Sequence, residues 1–185
     1  NTSCTVANGD IFKRVSFETM VNYLLMVTAD LENITNLHPR GGCDDPSFSY
    51  AFKVKCERCG EITPKETWLS LSETVPLPVG KGVAHLLQKC KFCSREGMTI
   101  MVPGKGKPLT LEDSENGNYA PLMQFECRGY EPIDFIIGDG WAAESTAGTK
   151  FESIDLSVGE FVDYDEKGEC PVMISKVESK FVVVR

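Results

Sequence analysis

Cys56-Glu57-Arg58-Cys59 and Cys90-Lys91-Phe92-Cys93 set two thiol pairs of identical spacing on either side of residues 60–89. A two-residue gap lets the backbone fold into a knuckle that turns both sulfurs toward one cation. Two knuckles complete the tetrahedral four-sulfur shell that Zn²⁺ prefers, with no coordination position left open. Gly60 follows the first pair and can take the positive φ that closes such a turn without a Cβ clash. Ser94 stands in that place after the second pair, so the second turn is less well specified. The spacing predicts one Zn²⁺ per chain, structural in role, held by Cys56, Cys59, Cys90 and Cys93.

Two other chemistries use Cys-x-x-Cys. Disulfides need an oxidising compartment, and no basic start, apolar stretch and small-residue cleavage site directs the chain to one. A thioredoxin-type pair opens a helix after a strand, whereas Cys59 runs into Gly60-Glu61-Ile62-Thr63-Pro64, a poor helix start. The surrounding charge suits a metal. Lys53, Lys55, Arg58, Lys89, Lys91 and Arg95 outnumber Glu57 and Glu96 and can offset the negative charge of four thiolates on one dication. The same cations could form a patch for nucleic acid. Against that, the net charge of −8 and a sequence pI of about 4.9 deny the chain the electrostatic footprint that drives phosphate binding, so no nucleic-acid partner is expected.

The elements that would carry the knuckles read as strands. Phe52, Val54 and Cys56 alternate with Lys53 and Lys55; Met98, Ile100 and Val102 alternate after the second knuckle; Met123, Phe125 and Cys127 alternate with Gln124 and Glu126. No long segment shows an apolar stripe at helical spacing. Gly and Pro punctuate the chain, as in Pro78-Val79-Gly80-Lys81-Gly82 and Pro103-Gly104-Lys105-Gly106-Lys107-Pro108. The expected fold is mainly β, made of short antiparallel strands in two related, tightly packed halves, with the knuckles in the first. A faint repeat supports the halves: the segment Phe52–Glu61 echoes Met123–Glu131, and Trp68 and Trp141 follow at similar distances. Residues 20–185 are expected to form a single zinc-binding β domain, with pseudo-repeats over about 20–110 and 111–185. Residues 1–19, polar and weakly patterned, read as a flexible leader foreign to that domain.

A chain of 185 residues, 42% hydrophobic and 25% charged, can bury an ordinary globular core. Its longest apolar runs, residues 23–27 and 181–184, are far too short to span a membrane. With no signal peptide recognised, the sequons at Asn1 and Asn33 read as chance. A reduced, cytoplasmic monomer with no membrane association is the expectation.

Five segments in order resemble a known family. They are residues 31–37, the first knuckle with Gly60-Glu61, Gln88-Lys89-Cys90-Lys91-x-Cys93, residues 125–135 and residues 163–167. Together they look like the eukaryotic CXXC-motif-containing zinc-binding proteins, with wording most similar to plant members, from Met20 to about Val184. The resemblance implies a mostly-β fold with two related halves, and zinc on Cys56, Cys59, Cys90 and Cys93. It implies no activity.

Other constellations fail. Asp163-Tyr164-Asp165-Glu166-Lys167-Gly168 begins like a calcium loop, but Lys167 sits at the fifth position and Ile174 where a bidentate Glu is required. His38 and His85, the only histidines, lack a neighbouring nucleophile in sequence and read as structural. Cys127 has Arg128 beside it, which could lower a thiol pKa, yet its alternation with Phe125 points it inward. Cys43 reads as a loop thiol, and Cys170 as a resolving partner only if the fold brings it near. The expected role is a non-enzymatic binding or adaptor module with a protein partner. Its alternatives are a thiol-dependent oxidoreductase of the sulfoxide-reductase kind, using Cys127 or Cys43, and a metal-handling protein that exchanges zinc or copper with a partner.

Overall fold

Tyr23, Leu25, Val27, Ala29 and Leu31 are buried along β1 (Val21–Glu32), while the residues between them keep some exposure. That period of two is what a strand with one covered face requires. The computed structural model describes residues 19–185; apart from Thr19, the expected leader lies outside the described residues. After β1 come β2 (Ile34–Pro39), β3 (Tyr50–Cys56), β4 (Thr67–Leu69), β5 (Val75–Pro76), β6 (Val83–Ala84), β7 (Leu86–Lys89) and β8 (Glu96–Val102). A single helical turn, α1 (Leu111–Glu115), precedes β9 (Ala120–Arg128), β10 (Tyr130–Ile136), β11 (Trp141–Ser145), β12 (Lys150–Ile154), β13 (Phe161–Asp165) and β14 (Cys170–Val184). The fold is mainly antiparallel β with almost no helix among the described residues, as the alternation predicts. Even α1 is held locally, by a capping box between Thr110 and Asp113.

The strands form a six-stranded sheet in the order β13-β14-β1-β9-β8-β7, two three-stranded sheets, β10-β3-β4 and β12-β11-β2, and the small pair β5-β6. Aromatic side chains join the layers. Phe125 of β9 meets Phe52 of β3 edge-on at 5.0 Å and Tyr50 at 5.9 Å, and Phe181 of β14 closes on Phe52 at 5.5 Å. Phe48 links this cluster to the other small sheet through Trp141 at 5.8 Å. Such edge-to-face pairs add to the burial of large rings and fix how the sheets lie on one another.

One corner of the chain positions the thiol pairs. β9 runs in the large sheet beside β8; the chain then turns at Gly129 (φ 81°) and continues as β10, paired with β3 in a small sheet. Tyr130 is the register partner of Cys56, and Arg128 that of Met98. The end of β3 is thereby brought against the hairpin of β7 and β8, whose turn holds the second pair. The corner is tight: a Cβ on Gly129 would lie 2.7 Å from the Glu96 carbonyl oxygen. Across from it, a Cβ on Gly97 would lie 1.9 Å from the ring of Tyr130, itself buried.

The two histidines hold backbone. The His38 ring donates from Nδ1 to the Asn36 carbonyl at 2.6 Å. His85 Nδ1 accepts the Met101 N–H at 2.9 Å, so its ring must be neutral, and burial lowers its pKa accordingly.

Two outcomes follow from this packing. Gly97→Ala should lower the melting temperature by an amount corresponding to about 1–3 kcal/mol, since the buried Tyr130 ring and the strands around it would have to shift. Gly97→Ala should cost less in a Tyr130→Ala background than in the parent; full additivity in the double-mutant cycle would contradict the contact. For His85 the folded-state pKa is the lower one, so its contribution is complete above the unfolded value of about 6.5 and fades as pH falls below it. The urea midpoint should therefore drop between pH 8 and 5 more steeply in the parent protein than in His85→Gln, and equal slopes would remove His85 as the cause.

Candidate metal centre

Cys56 ends β3, and its N–H donates to the Glu61 carbonyl at 2.8 Å while Gly60 N–H returns to the Cys56 carbonyl at 2.9 Å. The second pair repeats both bonds: Cys90 N–H to the Arg95 carbonyl at 2.8 Å and Ser94 N–H to the Cys90 carbonyl at 2.9 Å. Gly60 and Ser94 take φ of 77° and 64°. The two knuckles are thus the same turn, and Ser94 enters the left-handed region despite its Cβ, a conformation that surrounding hydrogen bonds must impose.

The four sulfurs of Cys56, Cys59, Cys90 and Cys93 lie within 4.8 Å of one another. Cys56 Sγ is 3.6 Å from Cys93 Sγ, and Cys59 Sγ is 3.6 Å from Cys90 Sγ, so each close pair joins the two knuckles. A disulfide would need about 2.05 Å. Tetrahedral zinc at about 2.3 Å from each sulfur places sulfurs about 3.8 Å apart. The donor set and its spacing fit one such ion. Cys56 and Cys90 are buried, Cys93 is half-buried and Cys59 is exposed, so the cluster is open to solvent on the Cys59 side.

The electrostatics favour a cation as well. Burial raises the Cys56 thiol, but amide donation from Cys59 and Arg58 outweighs it and leaves the pKa lowered to about 7. Cys90 is lowered too, first by the amide of Cys93, against its burial. Cys59 moves the other way, up to about 12: the Glu61 amide favours its thiolate, but burial and the sulfurs of Cys90, Cys56 and Cys93 prevail. Thiols this close cannot all ionise unaided. A dication among them would remove that conflict.

Around the cluster, Arg95 reaches Glu57 at 3.7 Å, tying the second knuckle to the first. Glu57 N–H donates to the Gly129 carbonyl at 3.1 Å, which docks the first knuckle on the corner between sheets. Of the six cations named from sequence, Arg95 is the partly buried one with a partner across the knuckles; Lys55, Arg58, Lys89 and Lys91 are exposed. Sequence reading missed Gly97, Gly129 and Tyr130 as supports of the site. Gly129-Tyr130 following Cys127-Arg128 in the second echo segment was the available signal.

The remaining thiols lie elsewhere. Cys127 has no exposed surface, and burial pushes its pKa up to about 12, with the Thr99 hydroxyl 3.6 Å from its sulfur. Cys43 is buried with a pKa raised to about 11, chiefly by desolvation and then by Asp44. Cys127 pairs in register with Val21 at one end of β1, whereas Cys170 opens β14 near the partner of Glu32 at the other. Twelve residues of strand separate those ends, on the order of 35 Å. In the rejected calcium-like segment, Asp165 is fully buried and accepts from the Thr149 hydroxyl at 2.5 Å and the Lys167 N–H at 3.1 Å, which makes it a tie between two turns.

Comparison with known proteins agrees with this geometry. Residues 24–182 match the family described as CXXC motif containing zinc binding protein, eukaryotic. The Xenopus laevis protein of that name is 41% identical over 163 residues, spanning 88% of this chain and 98% of its own. The Homo sapiens protein of that name is 42% identical over 159 residues, spanning 85% and 96%. The crystal structure of C1orf123 superposes with a TM-score of 0.79 at 40% identity, covering 88% of this chain and 99% of that one. A hypothetical protein from Plasmodium falciparum shares the fold, with a TM-score of 0.74 at 22% identity, over 87% of this chain and 99% of its own. With its two superimposable knuckles and four sulfurs positioned for one ion, the chain belongs to the eukaryotic CXXC motif containing zinc binding proteins.

Proposed function

We propose that this protein is a binding module in which one Zn²⁺, held by Cys56, Cys59, Cys90 and Cys93, staples two sheets together and thereby shapes a surface for a protein partner. The observation that carries this reading is the pairing of sulfurs across the knuckles at 3.6 Å. Four thiolates saturate a tetrahedral ion, leaving no site for a substrate or an activated water, which is the pattern of structural zinc. The burial of Cys127 and Cys43 supports a non-enzymatic role, because a catalytic thiol must be both accessible and ionised. The great distance from Cys127 to Cys170 leaves the former without a resolving partner there.

A second reading rests on the exposure of Cys59. A ligand thiol open to solvent gives an incoming thiolate a point of attack, so the ion could be passed to another metal-binding protein by ligand exchange. Both readings share the same four ligands and differ in the lifetime of the ion.

Purified protein should contain one zinc per chain by elemental analysis, and Cys90→Ser should abolish it. A variant that retains full stoichiometry would remove Cys90 from the shell. Native protein at neutral pH should react slowly with an alkylating reagent at Cys127 and quickly once unfolded. Cys127→Ala should cost on the order of 1 kcal/mol through lost packing, with zinc retained. Fast native labelling of Cys127 or Cys43, blocked by a small sulfoxide or disulfide, would instead identify a thiol enzyme.

A further inference from the structure

The two knuckles form the ends of the walls of an open groove of about 500 Å³. One wall is the stretch Glu61–Thr67 that leaves the first knuckle; the other is the end of β7 with Cys90, Lys91 and Phe92; Tyr130 lies between. β7 is the last strand of the six-stranded sheet, and among the described residues no strand pairs with its outer edge. Cys90 N–H bonds back to the hairpin, so by the alternation of antiparallel pairing the backbone groups of Leu87 and Lys89 point away from β8. An edge of this kind is a template for another extended chain.

The groove is also chemically distinct from its surroundings. Ile62 and Phe92 are 45% and 76% exposed and line the same groove, one on each wall. Lys65 on one wall and Lys89 and Lys91 on the other line it together with Glu61 and Glu66, on a chain whose net charge is −8. Apolar side chains at the walls, an open strand edge and lysines on both walls point to one occupant.

We propose that this groove binds an extended segment of a partner protein in which apolar residues alternate with Asp or Glu, added as a strand to the outer edge of β7. Its apolar side chains lie against Phe92 and Ile62, and its carboxylates meet Lys89, Lys91 and Lys65. The proposal rests on the binding-module reading and gives the metal a definite part in it. Each wall is continuous with one knuckle, so the ion that joins the sulfurs fixes the width of the groove.

The test uses the zinc-loaded full chain and a displayed library of random peptides of about ten residues, long enough to form one strand. Enriched peptides should alternate apolar with acidic residues. Phe92→Ala, and separately Lys65→Glu, should each weaken them by about tenfold or more at unchanged zinc content, as expected for anchors at the centre of an interface. Bound peptide should also slow hydrogen exchange at the Leu87 and Lys89 amides. Enrichment of basic peptides, no enrichment, or exchange unchanged at β7 would overturn the proposal. So would displacement of the peptides by a single-stranded oligonucleotide, which would mark the lysines and Phe92 as a nucleic-acid site. Peptides that respond to Trp68→Ala on the other small-sheet strand, and not to Phe92→Ala, would place binding elsewhere: the groove assignment would fall and the module reading would survive. The module reading itself falls only if a native thiol proves reactive and substrate-competed.

Discussion

Everything at the site depends on the chain passing from one sheet to another at Gly129. β9 belongs to the large sheet and β10 to a small one, yet they are a single run of chain broken by one residue of positive φ. Because β8 pairs with β9 and β3 pairs with β10, that one bend decides where the ends of β3 and the β7–β8 hairpin lie relative to each other. No side chain is tolerated there without pushing on the Glu96 carbonyl. Gly97 and Tyr130 complete the joint, the ring occupying the space that a Cβ at residue 97 would need. The sulfurs meet because the backbone has already brought their turns together.

This explains why two knuckles so far apart in sequence are alike in detail. A Cys-x-x-Cys turn is a local object, made by the carbonyl and amide of its first cysteine, and both copies make it with the same pair of bonds. Its local character made it legible from spacing alone. The difference between Gly60 and Ser94 did not alter the turn, because those bonds and the hairpin behind Cys90 hold Ser94 at φ 64° against its preference. A Gly at that position is one way to lower the cost, and the fold manages without it.

The β character and the inward side of Cys127 were equally readable, since alternation reports which face of a strand is covered. What alternation cannot report is the pairing of strands distant in sequence. The Phe125–Phe52–Phe181 contacts join β9, β3 and β14, and nothing in the separate segments announces them. The same holds for the groove: Ile62 and Phe92 read individually as ordinary apolar residues, and only the approach of their two walls makes them a surface. The burial of Asp165 was hidden for a related reason. Its segment begins with the composition of an ion loop, but its Oδ1 accepts from the Thr149 hydroxyl of the turn before β12 and from the Lys167 N–H of its own turn.

The position of the metal relative to the core bears on what the ion can do. In small zinc domains the ion replaces a core, and binding is worth on the order of 10–16 kcal/mol because the apo chain is unfolded. Here Phe52, Phe125, Leu25, Val27 and Trp141 are fully or almost fully buried in a core that extends well beyond the sulfurs, and β1 is paired on both sides from Asn22 to Val27. The ion then acts on a body that is largely folded, and its leverage falls on the two turns and the walls that extend from them. A cluster with Cys56 and Cys90 buried and Cys59 open to solvent joins a fixed inner half to an accessible outer one. On the binding-module reading proposed above, metal binding in such an arrangement would be coupled to the shape of a surface more than to the existence of the fold, which is the property a zinc-dependent recognition module requires.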